Sequence, residues 1–318
     1  MAKYNIKDVY KDIYTINGYF SETKYSSGIT IQNENKIINK YCHYGNTPGK
    51  CHNYIQRVSS GVIHLLEKLK DMKGLEYEKL AEYAILWLRY KLNQTAPYNN
   101  TKLNDFYTNH IEKNKYYNHK IKDNGPTYKQ IIDKKKDLMY ININEISKFS
   151  YPFSLLLFLY NENKTNNLNC TKHLDKAKDF ASRFEGINKD LNNIEGSSYN
   201  KILSTISNDY DILKKKCDKF PPLPIIEPKK RPSENLVVNP VGHSGHSSGQ
   251  MIGEALEVTS SSSSILSTLI PGLSVVSVIP VFLGVAYKYS LFGIDKLFQR
   301  QYLRTKLKKV KKKMKLNI

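Results

Sequence analysis

The stretch LEYEKLAEYAILWLRYKL, residues 75–92, predicts the helix around which the fold is built. Its apolar side chains recur at three- and four-residue steps, which places them on one face of a helix. The residues sharing this face are Leu80, Ala84, Trp87 and Leu88, with Lys91 next in line. Trp87 is the only tryptophan, and a side chain of that size usually packs in a core. We therefore predict core packing for Trp87 rather than stacking on a ligand.

The same periodicity predicts helices on both sides of this segment. Residues 55–72 form an apolar helical face that ends at Gly74. Further helices are predicted at residues 104–117, 127–139, 146–160, 171–187 and 198–220. The strongly apolar run 153–160 is too short to cross a bilayer and predicts a buried helix. Strand signals are scarce. The predicted fold class is therefore all-α, with one helical domain over residues 1–220.

The composition changes at Pro221, where a linker is predicted over residues 221–264. Six prolines lie between residues 221 and 240, followed by GHSGHSSG and then by the serine run at 260–264. Proline-rich chain is stiff and Gly/Ser-rich chain is loose, and neither composition builds a core. His243 and His246 fit a disordered hinge better than a metal site.

A transmembrane helix is predicted to begin at Ile265 and end at Tyr287. These 23 residues contain no charged side chain. A helix of this length covers about 34 Å, enough to cross a hydrocarbon core of about 30 Å. Two prolines interrupt it, which membrane helices tolerate better than soluble ones. A buried core helix is the alternative, but core helices seldom need so many uncharged residues. The predicted partner of this segment is the lipid bilayer.

A basic tail at residues 288–318 predicts the orientation of the chain. It contains eleven Lys or Arg residues and one acid, Asp295. Its densest part comprises Lys308, Lys309, Lys311, Lys312 and Lys313. Basic residues beside a span favour the cytosolic side, so we expect a cytosolic C-terminus and an external N-terminal domain. The tail suits anionic lipid or the cytoskeleton, and the adjoining span argues against nucleic acid.

The N-terminal residues show no apolar core of the kind that a cleaved signal peptide has. We therefore expect the N-terminal domain to cross a membrane with the predicted span beginning at Ile265 as its signal, or by an unusual export route.

Four cysteines lie in the predicted external domain: Cys42, Cys51, Cys170 and Cys217. On the external side of a membrane they allow two disulfides with three alternative pairings. We favour Cys42–Cys51 with Cys170–Cys217, because Pro48-Gly49 can turn the short first loop back on itself; the other two pairings stay open. His43 and His52 each follow a cysteine, but this is not zinc-finger spacing, and no metal site is predicted.

No catalytic motif occurs, so we predict no enzyme activity, no catalytic residue and no cofactor. The sequence lacks a phosphate-binding glycine loop, a Gly-x-Ser-x-Gly elbow, a His-Glu-x-x-His pair and a Cys-x-x-Cys pair. His64 shares a helix with Glu67 but has no nucleophile nearby, and we interpret it as a solvent-exposed histidine. Tyr116 and Tyr117 lie among lysines, and we interpret this segment as a solvated tyrosine-rich surface suited to protein recognition rather than to nucleic acid.

Several segments in fixed order resemble one known family. They are LAEYAILWLRYKLN at 80–93, NDFY at 104–107, EISKF at 145–149, SYNKILSTISNDY at 198–210, EVTSSSSS at 257–264, and IPVFLGVAYKYSL at 279–291, which continues into a basic tail. Together they resemble the Plasmodium interspersed repeat (PIR) family, particularly the Cir/Bir/Yir branch of rodent malaria parasites. The family has the same layout of cysteine-containing helical ectodomain, variable linker, single C-terminal span and basic tail. Members usually carry further cysteines where this chain has Val9-Tyr10 and near His119 and Leu157.

The resemblance implies a variant surface antigen of infected erythrocytes, with roles in antigenic variation, immune evasion and host-cell interaction. It implies a host-cell surface protein or an antibody as partner, and export without an ordinary signal peptide. The expected location is the infected erythrocyte membrane or parasite-derived membranes. The alternative from another class is an internal membrane scaffold or remodelling protein, with its helical domain in a vacuole or vesicle lumen.

Overall fold

The protein is described by a computed structural model covering residues 4–20, 22–24, 30–32, 35–95, 97–163 and 167–230. This part of the chain is rich in helix and has few strands, as the all-α prediction requires. The span between Ile265 and Tyr287, the basic tail with Lys308, and all but the first ten residues of the predicted linker lie outside the described residues.

Eleven α-helices lie within the described residues. They are α1 Ile6–Asn17, α2 Lys36–Asn39, α3 Tyr54–Leu69, α4 Tyr77–Gln94, α5 Leu103–Phe106, α6 Tyr128–Asp133, α7 Lys136–Met139, α8 Ile143–Ile146, α9 Ser150–Glu162, α10 Leu174–Asn188 and α11 Ser198–Lys214. Short 3-10 turns occupy Tyr98–Asn100, Lys115–Asn118 and Ser147–Phe149, and a π-helical turn occupies Tyr107–Ile111. Strand β1 Glu22–Lys24 pairs antiparallel with β2 Thr30–Gln32, and β3 His43–Tyr44 pairs antiparallel with β4 Thr47–Pro48.

Helix α4 is the centre of the domain, as its sequence predicts. It contacts α3, α6 and α9, and every residue from Leu80 to Leu92 is buried. Its charged residues are satisfied inside the fold: the Arg89 guanidinium donates to the carbonyl oxygens of Asn99 and Thr101, each at 2.8 Å. A helix that is buried all round needs partners on every side. The neighbouring helices supply these partners.

Helix α1 was missed by the sequence analysis, which predicted no helix before residue 55. Its buried residues are Ile6, Val9, Tyr10, Ile13, Ile16 and Asn17, the three- and four-residue spacing of one helical face. The Asn5 side chain caps the helix by accepting the backbone N–H of Lys7 at 3.2 Å. The periodic pattern and the N-cap that indicate this helix are therefore present in the sequence. The helix packs on α9 and α3 and completes the core around α4.

Two predicted helices are broken in the structure. The segment 104–117 is interrupted at Asn114, whose side chain donates to the Tyr41 carbonyl oxygen and accepts the backbone N–H groups of His43 and Tyr116. A buried asparagine bound in this way competes with helix continuation. The segment 127–139 divides into α6 and α7 around Lys135. The last predicted helix, 198–220, ends as α11 at Lys214.

Residues 221–230, here called the strap, belong to the folded domain although the sequence assigns them to the linker. Leu223 and Ile226 pack against the core. Near its end the strap pairs with the α10–α11 loop, because the Lys229 N–H donates to the Asn193 carbonyl oxygen at 2.7 Å and the Glu195 N–H donates to the Lys229 carbonyl oxygen at 2.9 Å. The linker prediction is therefore wrong for these ten residues.

Candidate functional site

The four cysteines form two disulfides, in the favoured pairing. Cys42–Cys51 joins Cα atoms 5.4 Å apart and closes the β3–β4 hairpin. Cys170–Cys217 joins Cα atoms 5.5 Å apart and ties the segment before α10 to the segment after α11. No cysteine is left free. All four thiols are therefore used in disulfides, and none is available as a nucleophile or a metal ligand.

The predicted core residues lie in the core. Trp87, Ala84 and Leu88 are fully buried, and Leu80 is buried as well. The Trp87 ring packs edge-on against Phe20, with centroids 5.6 Å apart, and lies over Gly61 of α3. Because Trp87 has no exposed surface, it cannot serve as a stacking platform for a ligand.

Asp209 of α11 is the most unusual ionisable group in the domain. The side chain is buried and accepts hydroxyl hydrogen bonds from Tyr10 at 2.8 Å and from Tyr83 at 3.0 Å. The Tyr160 hydroxyl donates to the Asp209 carbonyl oxygen at 2.7 Å. Burial raises the pKa of Asp209 to about 7, which the tyrosine hydrogen bonds only partly offset. Since this carboxyl group is buried and bound by tyrosine hydroxyls, we assign it a structural rather than a catalytic role.

A polar cleft of about 390 Å³ lies between α4, the α6–α7 turn at Lys135 and α11. At its base the buried Glu82 carboxylate contacts Lys79 at 3.0 Å and Lys135 at 3.8 Å, and accepts a hydrogen bond from the Thr205 hydroxyl. Lys135 also pairs with Glu78 at 2.6 Å. These groups neutralise one another and no histidine lines the cleft. The cleft can form hydrogen bonds, but it lacks the paired nucleophile and base of a hydrolytic site.

His64 is buried, so the prediction of a solvent-exposed histidine is wrong. It is 3% exposed, and its Nδ1 lies 3.2 Å from the Tyr41 hydroxyl. Burial lowers the pKa of His64 to about 4. The short helix α2 packs on α3 and covers this face. Periodicity places a residue on a helix but does not show which neighbour will cover it.

The predicted tyrosine-rich surface is also absent at Tyr117. This side chain is fully buried and its hydroxyl donates to the Ser59 carbonyl oxygen at 2.9 Å. Tyr116 is half-buried against Tyr41 and Tyr128. Twelve tyrosines of the described part are buried, and several donate their hydroxyl to a backbone carbonyl or a carboxylate. In this fold, tyrosine is largely a core residue whose hydroxyl group finds a hydrogen-bond partner.

The described surface is polar, with few large apolar side chains exposed. Those in the described residues are Ile37 at 44%, Tyr140 at 65%, Leu191 at 77% and Ile225 at 81%. Within the same residues, no group of three or more His, Cys, Asp or Glu side chains is placed to hold a metal ion. No helix among them is long and apolar enough to cross a membrane.

Comparisons with known proteins agree on one family. The profile of the family described as Plasmodium variant antigen protein Cir/Yir/Bir matches residues 10–288. A solved structure of a Plasmodium PIR protein ectodomain is similar at 36% sequence identity and a TM-score of 0.52, over 69% of this chain and 99% of that chain. No curated protein matches the chain.

Proposed function

The chain belongs to the Cir/Yir/Bir family of Plasmodium variant antigens, and we propose that it is a single-pass surface antigen of the infected cell. In this proposal the helical domain faces away from the cytosol, and the segment between Ile265 and Tyr287 anchors it in the membrane. Its roles are antigenic variation, immune evasion and interaction with the host cell. Its partners are a host-cell surface protein or an antibody.

One observation carries this proposal: the family match extends from residue 10 to residue 288. It includes both the folded domain and the 23 uncharged residues that end at Tyr287. The two disulfides give independent support, because such bonds persist in oxidising compartments and are rare in the cytosol. The described residues show no catalytic arrangement that would favour an enzyme.

The basic tail is assigned to the cytosolic face. Its lysines, among them Lys308, Lys309 and Lys311 to Lys313, suit anionic lipid head groups or a cytoskeletal partner. Each such charge near an anionic surface contributes about 1 kcal/mol. The tail therefore supplements a hydrophobic anchor and does not need to replace one.

Protease treatment of intact infected cells tests the proposal, with one epitope tag at each end of the chain. We expect external protease to cut between the domain and the span and to leave a short protected fragment that carries the C-terminal tag. Protection of both tags until the host membrane is permeabilised would favour the internal scaffold instead. A protected N-terminal tag with a digested C-terminal tag would reverse the orientation.

A further inference from the structure

Three of the four exposed large apolar side chains in the described residues lie at one end of the domain. They are Tyr140 after α7, Leu191 in the α10–α11 loop and Ile225 in the strap. Two contacts bring these segments together: the Ser198 hydroxyl donates to the Asp137 carboxylate, and the Asn188 side-chain amide donates to the Ile225 carbonyl oxygen at 2.8 Å. We call this the exit end, made of residues 137–140, 188–198 and 225–230.

The chain leaves the folded domain at this same end. Lys229 pairs through its backbone with Asn193 and Glu195, and the described chain stops one residue later at Lys230. The strap thus carries the chain back from the end of α11 to its beginning before releasing it. Only 34 residues, 231–264, separate this point from the predicted membrane span.

Ile225 and Ile226 show that the strap has two different faces. Ile226 packs against the core, whereas Ile225 is 81% exposed. A single exposed apolar residue needs no explanation, because much of any protein surface is apolar. Here three such residues lie on segments that hydrogen-bond to one another near the last described residue, and exposed apolar groups at such a place suit a membrane surface.

We propose that the exit end lies against the bilayer that holds the chain's own span, with Tyr140, Leu191 and Ile225 entering the interfacial region. This rests on the membrane anchor of the proposed function. The sequence between Lys230 and Ile265 has 34 residues, and a random coil of that length has a root-mean-square span of about 30–35 Å, which would keep the domain near the surface and let it touch. Aromatic and aliphatic side chains with polar neighbours are the residues that settle at this depth.

The charges around the exit end favour a neutral lipid surface over an anionic one. Lys189, Lys229 and Lys230 are exposed there, but so are Glu195 and Glu227. Lys189 already pairs with Glu185 at 2.6 Å. With both signs present, apolar insertion rather than electrostatic attraction holds the contact. The long lysine side chains can extend their charges toward water beside it.

The test uses the full chain in vesicles of brominated phosphatidylcholine, whose bromine atoms quench fluorescence inside the bilayer. Ile225→Cys and Ile37→Cys each receive the same thiol-reactive fluorophore, which reacts only there because the four native cysteines are paired. Ile37 is the matched control, an exposed isoleucine on α2. We expect quenching at position 225 to be about twofold or more stronger, since interfacial side chains enter about 5–10 Å.

A third variant adds Leu191→Glu to the label at 225 and should reduce the quenching. Equal quenching at positions 225 and 37, or none at either, would overturn the proposal. Quenching at 225 that grows with protein density at a fixed lipid composition would overturn it in favour of a second copy of the chain. Failure of the anchor itself would appear separately, because alkaline carbonate would then strip the unmodified chain from the vesicles.

Discussion

The hydroxyl of Tyr10 donates a hydrogen bond of 2.8 Å to the buried carboxyl group of Asp209, a residue 199 positions further along the chain. The contact fastens α1, the first helix, to α11, the last. Among the described residues, no cation pairs with Asp209 at hydrogen-bond distance, and its side-chain partners are hydroxyl groups. Hydroxyl donors can bind the carboxyl group in either protonation state, but they cannot neutralise its charge. The pH dependence of stability follows from this arrangement.

Asp209→Asn should remove one pH dependence of stability. Burial raises the pKa of Asp209 to about 7, whereas an unfolded Asp titrates near about 3.9. Between these values the folded chain holds a proton that the unfolded chain has lost, so the free energy of unfolding falls as the pH rises. The effect amounts to at most about 4 kcal/mol, at about 1.4 kcal/mol per pKa unit. The Tm of the variant minus that of the wild type should therefore increase as the pH rises from about 5 to about 8.

The comparison must be made between the two chains at each pH, because buried histidines act in the opposite direction. Burial lowers the pKa of His64 to about 4, so the unfolded chain binds the extra proton up to about pH 6.5 and stability from this group rises with pH. The difference between variant and wild type cancels that contribution. A difference in Tm that stays constant with pH would contradict the assignment.

Gly61→Ala should destabilise the domain through a clash with Trp87. A Cβ at this position would lie 2.5 Å from Cη2 of Trp87 and 2.9 Å from Cζ of Phe20. Overpacking of this kind costs about 1–3 kcal/mol. Gly186→Ala in α10 is the matched control, because its Cβ would meet nothing within 4 Å and a helical Gly→Ala change usually stabilises by about 0.5–1 kcal/mol. Thermal unfolding should show Tm shifts of opposite sign.

The sequence predicts the elements that have a strong pattern of their own and misses those that depend on partners. Helix α4 and the burial of Trp87 follow from periodicity and side-chain size, and the pairing of Cys42 with Cys51 follows from proximity. The strap has no periodic signal, since Leu223 and Ile226 lie among prolines and are partly buried only because the domain offers them a surface. The burial of His64 escapes prediction for the same reason, because Tyr41 and Tyr19 from other segments pack against it.

Glu82→Ala should destabilise the domain far more than the removal of an exposed acid. Glu82 is 2% exposed and compensates Lys79 and Lys135, of which Lys135 is itself buried. Removing it leaves Lys79 without its carboxylate partner and leaves Lys135 dependent on the exposed Glu78, and breaking a buried pair in this way costs up to about 3–5 kcal/mol. Glu185→Ala breaks the exposed pair with Lys189 and should leave Tm almost unchanged. Urea unfolding of both variants gives the comparison, and equal losses would refute the burial argument.

The two disulfides should differ in what they contribute to stability. Cys170–Cys217 closes a separation of 47 residues and Cys42–Cys51 one of 9 residues. Loop-closure entropy predicts that the longer loop stabilises by about 1.5 kcal/mol more. Paired Cys→Ala substitutions, one disulfide at a time, should therefore lower the free energy of unfolding more for Cys170 with Cys217. A larger loss for the short loop would show that local packing, not chain entropy, dominates.

Truncation and point substitution should both show that the strap belongs to the domain. A chain that stops at Phe220 loses the packing of Leu223 and Ile226 and the backbone pairing of Lys229. It should unfold at a lower temperature than a chain that stops at Lys230, because burying one aliphatic side chain contributes about 1.5–3 kcal/mol when burial is complete.

Adjacent isoleucines provide the internal control for this last prediction. Ile226→Ser should lower Tm by part of the amount that the truncation does, because Ile226 packs against the core. Ile225→Ser should leave Tm of the same soluble chain unchanged, since Ile225 is 81% exposed and surface substitutions usually stay within about 0.5 kcal/mol. If both serine variants have the same Tm as the wild type, the strap does not pack against the core in solution. If both unfold early, Ile225 is covered in solution and is not free to meet a bilayer.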